Sequence, residues 1–215
     1  LQSGYEREWA KGADAALAAG GGADQLLESA SFVVHPPLGK WLIGAGETLF
    51  GLNSFGWRFM SVVFGTALVF VTIRLARRLS RSTLVGGLAG LLLTFDGLAF
   101  TMSRIALIDI FAAFFVVAAV SALVADRDWF RTRLADHLDG AGIPDLGGVF
   151  GPRVWWRPWR WVAGVMFGAA VGVKWNSLFF LALFGLLAVW WDVRARRLAG
   201  SGRSAWWAVL ADGIP

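Results

Sequence analysis

The 215-residue sequence has no cysteine, one tyrosine, two histidines and only 16% charged residues. Without thiols there is no disulfide scaffold and no Cys-ligated zinc or iron–sulfur centre. His35 and His137 stand far apart with no HExxH or similar ligand spacing, so no metal site is expected. A GxxxxGK[ST] loop is missing, which leaves nucleotide hydrolysis unsupported. The chain also has neither an initiator Met nor a signal-peptide pattern. It starts in a polar stretch at Leu1 and reads as a piece of a longer protein, with both flanks missing. What it has in excess is apolar: 57% hydrophobic residues and 13 Trp, with a mean hydropathy of +0.59. A soluble domain carries about 25% charged and about 45–50% apolar residues. The net charge of +5 comes from basic clusters set between apolar runs rather than along one polar face. Nucleic acid is therefore excluded as a partner, and an integral membrane protein is predicted.

A membrane-crossing helix needs about 20 mostly apolar residues. Candidate spans run from Trp57 to Leu79, Leu84 to Phe100 and Ile105 to Ala125. The apolar stretch Trp159–Trp191 is too long for one perpendicular helix and breaks naturally at Lys174-Trp175-Asn176. Reading it as two spans puts Arg74–Arg81, Arg127–Arg160 and Arg194–Arg203 on one side of the membrane, as the positive-inside rule requires. The predicted architecture is thus an all-α, polytopic membrane bundle of about five transmembrane helices. Its parts are an external loop over 1–56, three spans within 57–125, a basic cytoplasmic loop over 126–158, two spans within 159–193, and a cytoplasmic segment over 194–215. Within the first part, Leu38–Phe50 is apolar but too short to cross, and predicts a helix lying in the interface. His35-Pro36-Pro37 would start it. Ala13–Gly22, rich in alanine and glycine, is expected to be flexible, and Glu6 and Glu8 to be solvated loop charges.

Several ionisable residues sit where apolar runs should exclude them. Asp96, Arg104, Asp109, Lys174 and the His35–Lys40 segment all map to the ends of spans opposite the arginine clusters. A charge in the hydrocarbon region is costly, so such residues generally face a cavity or a partner. Each alone has a plain structural reading: Arg104 with Asp109 as an interfacial ion pair, or Lys174 reaching to the surface. Gathered from four segments on one face, they predict a functional cavity. Lys40, Arg58, Arg104 and Lys174 suit a phosphate-bearing lipid headgroup, and the carboxylates are candidate bases.

The segment Val34-His35-Pro36-Pro37-Leu38-Gly39-Lys40 resembles the HPPLGK segment of protein O-mannosyltransferases, which are multi-span glycosyltransferases of the GT-C class. Gly56-Trp57-Arg58, Phe95-Asp96-Gly97, Ser103-Arg104-Ile105, Leu107-Ile108-Asp109 and Gly172-Val173-Lys174-Trp175 follow in the family's order, and the Arg-rich, Ala/Gly-biased composition resembles an actinobacterial member. The resemblance implies inverting transfer of mannose from polyprenyl-phosphate-mannose to Ser or Thr of exported proteins, on the outer face of the cell membrane and near the export translocon. It implies no cofactor beyond that lipid-linked donor. Carried over, Arg58, Arg104 and Lys174 would contact the donor phosphate, while His35, Pro36, Pro37, Lys40, Asp96 and Asp109 would shape the site. The family's acidic Asp-Glu pair, taken as the catalytic base, is absent and expected upstream of Leu1, so the fragment alone is expected to be inactive. Two alternatives are a GT-C transferase of another lipid-linked sugar, such as arabinose, and a flippase or transporter of lipid-linked sugar. The clustering of polar residues at one face disfavours the latter.

Overall fold

The computed structural model describes residues 7–19, 26–30, 34–148, 150–154 and 156–212. The chain divides into two compact units, Leu1–Pro36 and Pro37–Pro215. In the first, strand β1 (Arg7–Trp9) pairs antiparallel with β2 (Leu26–Ala30), and helix α1 (Ala13–Ala18) lies between them in sequence. Two expectations change here. Glu8 belongs to a strand rather than a loop, and its exposed carboxylate accepts a 2.7 Å hydrogen bond from Ser29 Oγ. The alanine-rich stretch forms a short helix from Ala13, in keeping with alanine's helix propensity. Glu6 and residues 20–25 lie outside the described residues.

The second unit is all-α. Its helices are α2 (Leu38–Phe50), α3 (Ser54–Ser80), α4 (Thr83–Phe95), α5 (Gly97–Arg104), α6 (Asp109–Ala141), α7 (Pro158–Val173), α8 (Ser177–Leu198) and α9 (Ala205–Asp212). Where five spans were expected, α3, α6 and α8 are each long and apolar enough to cross a membrane. Helices α4 and α5, bent by 61° at their junction, add a fourth if the pair is one span. Helix α7 has 16 residues and reaches about 24 Å at 1.5 Å per residue, short of a hydrocarbon core of about 30 Å. The unit is a polytopic helical membrane bundle.

Local chemistry sets the helix boundaries. Asn53 Oδ1 accepts from the Phe55 and Gly56 N–H groups at 2.9 and 3.0 Å and opens α3. Ser82 caps α4, and Pro158 sits in the first turn of α7, where its missing donor costs nothing. Helix α6 departs most from expectation. It begins at Asp109 rather than Ile105 and runs unbroken to Ala141, so the first half of the segment 126–158 is helix rather than loop. Phe130 and Leu134 are buried and Leu138 follows four residues on, which keeps one apolar face turned inward through the charged stretch. Gly142, at φ +62°, ends the helix.

Helix packing relies on small residues and on aromatic rings. Helices α2 and α3 cross where Gly46 meets Gly56, and a Cβ on either glycine would strike a backbone carbonyl. Phe64 of α3 meets Phe111, Phe114 and Phe115 of α6 with ring centroids 5.0, 5.0 and 5.5 Å apart. Ala119 and Ala122 of α6 pack with Ala163 and Phe167 of α7 and Ala188 of α8.

At one end of the bundle, charge replaces apolar packing. Arg157 donates to both oxygens of Asp126 (Nε–Oδ1 3.0 Å, Nη2–Oδ2 2.6 Å) and both of Asp192 (2.7 and 3.1 Å). Arg160, one turn on, bonds Asp126 Oδ2 at 2.9 Å and Asp192 Oδ2 at 2.8 Å. Asp126, Arg157 and Asp192 are buried, and Phe130 lies 4.2 Å under the Arg157 guanidinium. Two cations and two anions thus neutralise one another where α6, α7 and α8 converge. Arg78 of α3 reaches Asp128 at 2.9 Å, and Arg196 pairs with Asp212. The basic clusters of the sequence therefore gather at one end of the bundle.

Three outcomes follow from this packing. Arg157→Ala leaves two buried carboxylates to Arg160 alone and should cost about 3–5 kcal/mol in denaturant unfolding of the detergent-solubilised chain. Arg157→Lys should recover less than half of that loss, since an ammonium cannot serve both carboxylates bidentately. Gly56→Ala, which must push α2 off α3, should lower stability by about 1–3 kcal/mol in the same assay.

Candidate functional site

The opposite end of the bundle holds the ionisable residues singled out in the sequence. Helix α7 stops at Val173 and α8 begins at Ser177, so the chain breaks at Lys174-Trp175-Asn176 as expected. Lys174 caps the C-terminus of α7, and Asp109 opens α6. Lys174 Nζ donates to Asp109 Oδ1 at 2.6 Å. Both helix ends favour the charge they carry, an anion at the N-terminus of α6 and a cation at the C-terminus of α7. The pair is partly open to its surroundings, with side-chain exposures of 39% and 20%. A solvent-accessible polar ligand can thus compete for either partner.

Helix α2 lands beside this pair. Pro37 is its N-cap. A Cβ on Gly39 would lie 3.1 Å from Ile108 and 3.2 Å from Val173, the residues that immediately precede Asp109 and Lys174. Leu38 in turn packs 3.5 Å from where a Gly172 Cβ would stand. Three separated sequence patterns, PLGK, LID and GVKW, therefore meet at one point, and only a residue without a side chain fits at position 39 without displacing its neighbours. Lys40 follows on the exposed side of α2. His35 and Pro36 belong to the first unit and directly precede this corner in the chain.

Helix α5 carries two more of the expected residues. Asp96 ends α4 and caps α5, its Oδ1 accepting from the Ala99 N–H at 2.7 Å. Arg104 lies in the last turn, exposed, with its guanidinium 5.0 Å from the Phe100 ring centroid. An acid at the start and a base at the end suit the dipole of this eight-residue helix. The Arg104–Asp109 ion pair, the plain structural alternative, does not form. Asp109 takes Lys174 instead, and no carboxylate among the described residues pairs with Arg104. The turn onward passes through Ala106, a buried residue at φ +57°, a left-handed conformation that costs a non-glycine residue about 1–2 kcal/mol. The Leu107 N–H donates to the Met102 carbonyl at 3.3 Å and closes the turn.

Arg58 sits apart from the Asp109–Lys174 pair. It is exposed on the first turns of α3 and lines a cavity of about 240 Å3 with Glu47, Ser54 and Trp57. Burial pushes the Glu47 carboxyl up from its ordinary value. Asn53, also in the wall, is committed to capping: its amide donates to the Phe50 carbonyl at 2.7 Å while its oxygen holds α3. Among the described residues, no group of three or more His, Asp or Glu side chains could hold a metal ion. The sequence reading missed Glu47 as a wall of the Arg58 cavity. Its spacing from Arg58 gave no signal, because the two meet only through the α2–α3 crossing.

Comparison with known proteins agrees with this arrangement of motifs. Residues 14–134 match the family model described as dolichyl-phosphate-mannose-protein mannosyltransferase. The chain is 50% identical over 165 residues to the polyprenol-phosphate-mannose–protein mannosyltransferase of Mycobacterium tuberculosis, covering 77% of this chain and 31% of the relative. It is 42% identical over 183 residues to the protein of the same name from Corynebacterium glutamicum, covering 85% of this chain and 35% of the relative. Protein O-mannosyl-transferase 2 of Drosophila melanogaster is 29% identical over 171 residues, 72% of this chain and 20% of the relative. The chain thus spans about a third of the length of its bacterial relatives. No solved structure matches it. On the family model and these identities, the chain belongs to the dolichyl-phosphate-mannose-protein mannosyltransferase family.

Proposed function

We propose that the chain is the membrane-embedded part of an enzyme that transfers mannose from polyprenyl-phosphate-mannose to Ser or Thr hydroxyls of exported proteins. The observation that carries this reading is the meeting of PLGK, LID and GVKW at the Asp109–Lys174 pair. In the reaction, a hydroxyl oxygen attacks the anomeric carbon from the face opposite the phosphate. The carbon–oxygen bond to phosphate breaks with inversion, the hydroxyl proton passes to a carboxylate base, and the polyprenyl phosphate leaves with the bonding pair. Charge builds on the phosphate oxygens, so fixed cations aimed there lower the barrier. Arg58, Arg104 and Lys174 take that role here, with Asp109 holding Lys174 in place and Asp96 fixing the helix that bears Arg104. Pro37 and Lys40 shape the corner at the start of α2. No Asp-Glu dipeptide occurs in the 215 residues, so the base comes from elsewhere in the enzyme and residues 1–215 alone transfer nothing. The arginine-rich end faces the cytoplasm and the Lys174 end faces outward, where acceptor proteins meet it on leaving the export translocon.

Membranes holding the full-length protein, incubated with labelled polyprenyl-phosphate-mannose and a Ser/Thr peptide, should yield labelled peptide. Arg58→Ala, Arg104→Ala and Lys174→Ala should each lower that rate on the order of a hundredfold or more, with the amount of protein in the membrane unchanged. Undiminished transfer in all three would refute the donor-phosphate assignment. Labelled glycan, or movement of the intact lipid, would refute peptide mannosylation itself.

The orientation has its own test, and residues 1–215 bring no cysteine of their own to it. Trp175→Cys should react with a membrane-impermeant maleimide in intact cells, and Arg203→Cys only after permeabilisation. The reverse pattern would invert the topology.

A further inference from the structure

Helix α6 overruns the membrane. Its 33 residues extend about 50 Å at 1.5 Å per residue, against a hydrocarbon core of about 30 Å. Counted from Asp109, the core is crossed after about 20 residues, which sets Trp129 at the boundary and carries Arg133, Asp136 and His137 beyond it. The chain returning to α7 runs beside this overhang. The Val154 N–H donates to Asp212 Oδ1 at 3.1 Å, and Trp156 adjoins Arg157, whose guanidinium is fixed on Asp126. Between overhang and return lies a cavity of about 460 Å3 walled by Trp129, Arg133, Asp136, His137, Arg153 and Trp156.

Distance from the membrane sorts these walls by chemistry. The two indoles lie at the boundary, where Trp is favoured because one part of its ring system is apolar and the N–H is polar. Arg133 comes one turn further out, stacked 5.2 Å from the Trp129 ring centroid, and Arg153 faces it from the returning chain. Asp136 and His137 are outermost on α6. No carboxylate among the described residues pairs with either arginine, unlike Arg157, Arg160 and Arg196 at the same end. Apolar rings, then guanidinium groups, then hydroxyl-binding groups match the order of acyl ester, phosphate and polyol in a phospholipid.

We propose that this cavity binds an anionic phospholipid with a hydroxyl-bearing headgroup, drawn from the leaflet at the arginine-rich end. Arg133 and Arg153 hold the phosphodiester, the glycerol backbone rests on Trp129 and Trp156, and headgroup hydroxyls donate to Asp136 and His137. Arginine's planar fork suits phosphate oxygens. The Asp136 carboxylate repels a doubly charged free phosphate but accepts hydrogen bonds from a polyol. The site stands apart from the Lys174 end, so it holds whether or not the mannosyl-transfer reading does.

The test uses the purified chain titrated with short-chain phosphatidylglycerol, with short-chain phosphatidylcholine and free glycerol phosphate in parallel. Saturable binding of phosphatidylglycerol is expected, at concentrations where the other two bind weakly or not at all. The double variant Arg133→Gln/Arg153→Gln should bind roughly thirtyfold more weakly, since each basic side chain at a membrane surface contributes about a factor of five. Arg131→Gln/Arg194→Gln removes the same charge from the other side of α6 and should change affinity by less than about twofold. Arg133→Lys/Arg153→Lys, with helicity followed by circular dichroism, separates loss of the site from loss of the fold. Unchanged binding by the first variant, equal weakening by the second, or equal binding of free glycerol phosphate would each overturn the proposal.

Discussion

Charge ties α7 to α6 at both ends of α7, to the first residue of α6 and to a point midway along it, and the rest of the bundle is arranged around that double attachment. At one end a single lysine meets a single aspartate across two helix termini that each favour the charge they hold. At the other, two arginines share two aspartates in a buried, electrically neutral knot. Between them the two helices touch through alanines and phenylalanine, a surface that gives close contact but little direction. In a bilayer, apolar side chains gain little by leaving lipid for protein, so packing and polar contacts must set the register. The ion pairs supply it: sliding α7 by one turn along α6 would break both ends at once.

The two ends differ in how firmly they are closed. In the knot at the arginine-rich end, Asp126, Arg157 and Asp192 are buried and satisfied, with Arg160 covering its outer side, as suits a structural joint. The Asp109–Lys174 pair is partly open, and Arg104 and Arg58, each on an element of its own, form no ion pair with a carboxylate among the described residues. Cations with no internal partner leave this end of the bundle able to take an anion. The bond to Asp109 fixes the Lys174 ammonium in one place, so little rearrangement would be needed for it to meet an anion.

Much of this was legible in the sequence. A lysine in the middle of a long apolar run forecast the break between α7 and α8, and a double proline ahead of a short apolar stretch forecast α2. Other features were hidden for identifiable reasons. Asp126 and Asp192 each follow an apolar run directly, which is also how a solvated flanking charge looks. Their burial shows only when Arg157 and Arg160, three residues apart on another helix, are brought to the same level. The extension of α6 to Ala141 did leave a trace in Phe130, Leu134 and Leu138 at four-residue spacing, but the surrounding charges masked it. The pairing of Asp109 with Lys174 rather than Arg104 depended on the left-handed turn at Ala106, which no periodicity reports.

Helix α5 differs from the other helices of the second unit. None of its residues is buried, and it hangs between the bend at Asp96 and the strained turn at Ala106, whereas α2 and α3 touch backbone to backbone through glycines. Segments with few buried contacts open at the lowest free energy. Arg104 therefore sits on a segment held by its two ends and by one close contact, Ser103 against Gly65 of α3, rather than on the glycine-locked frame.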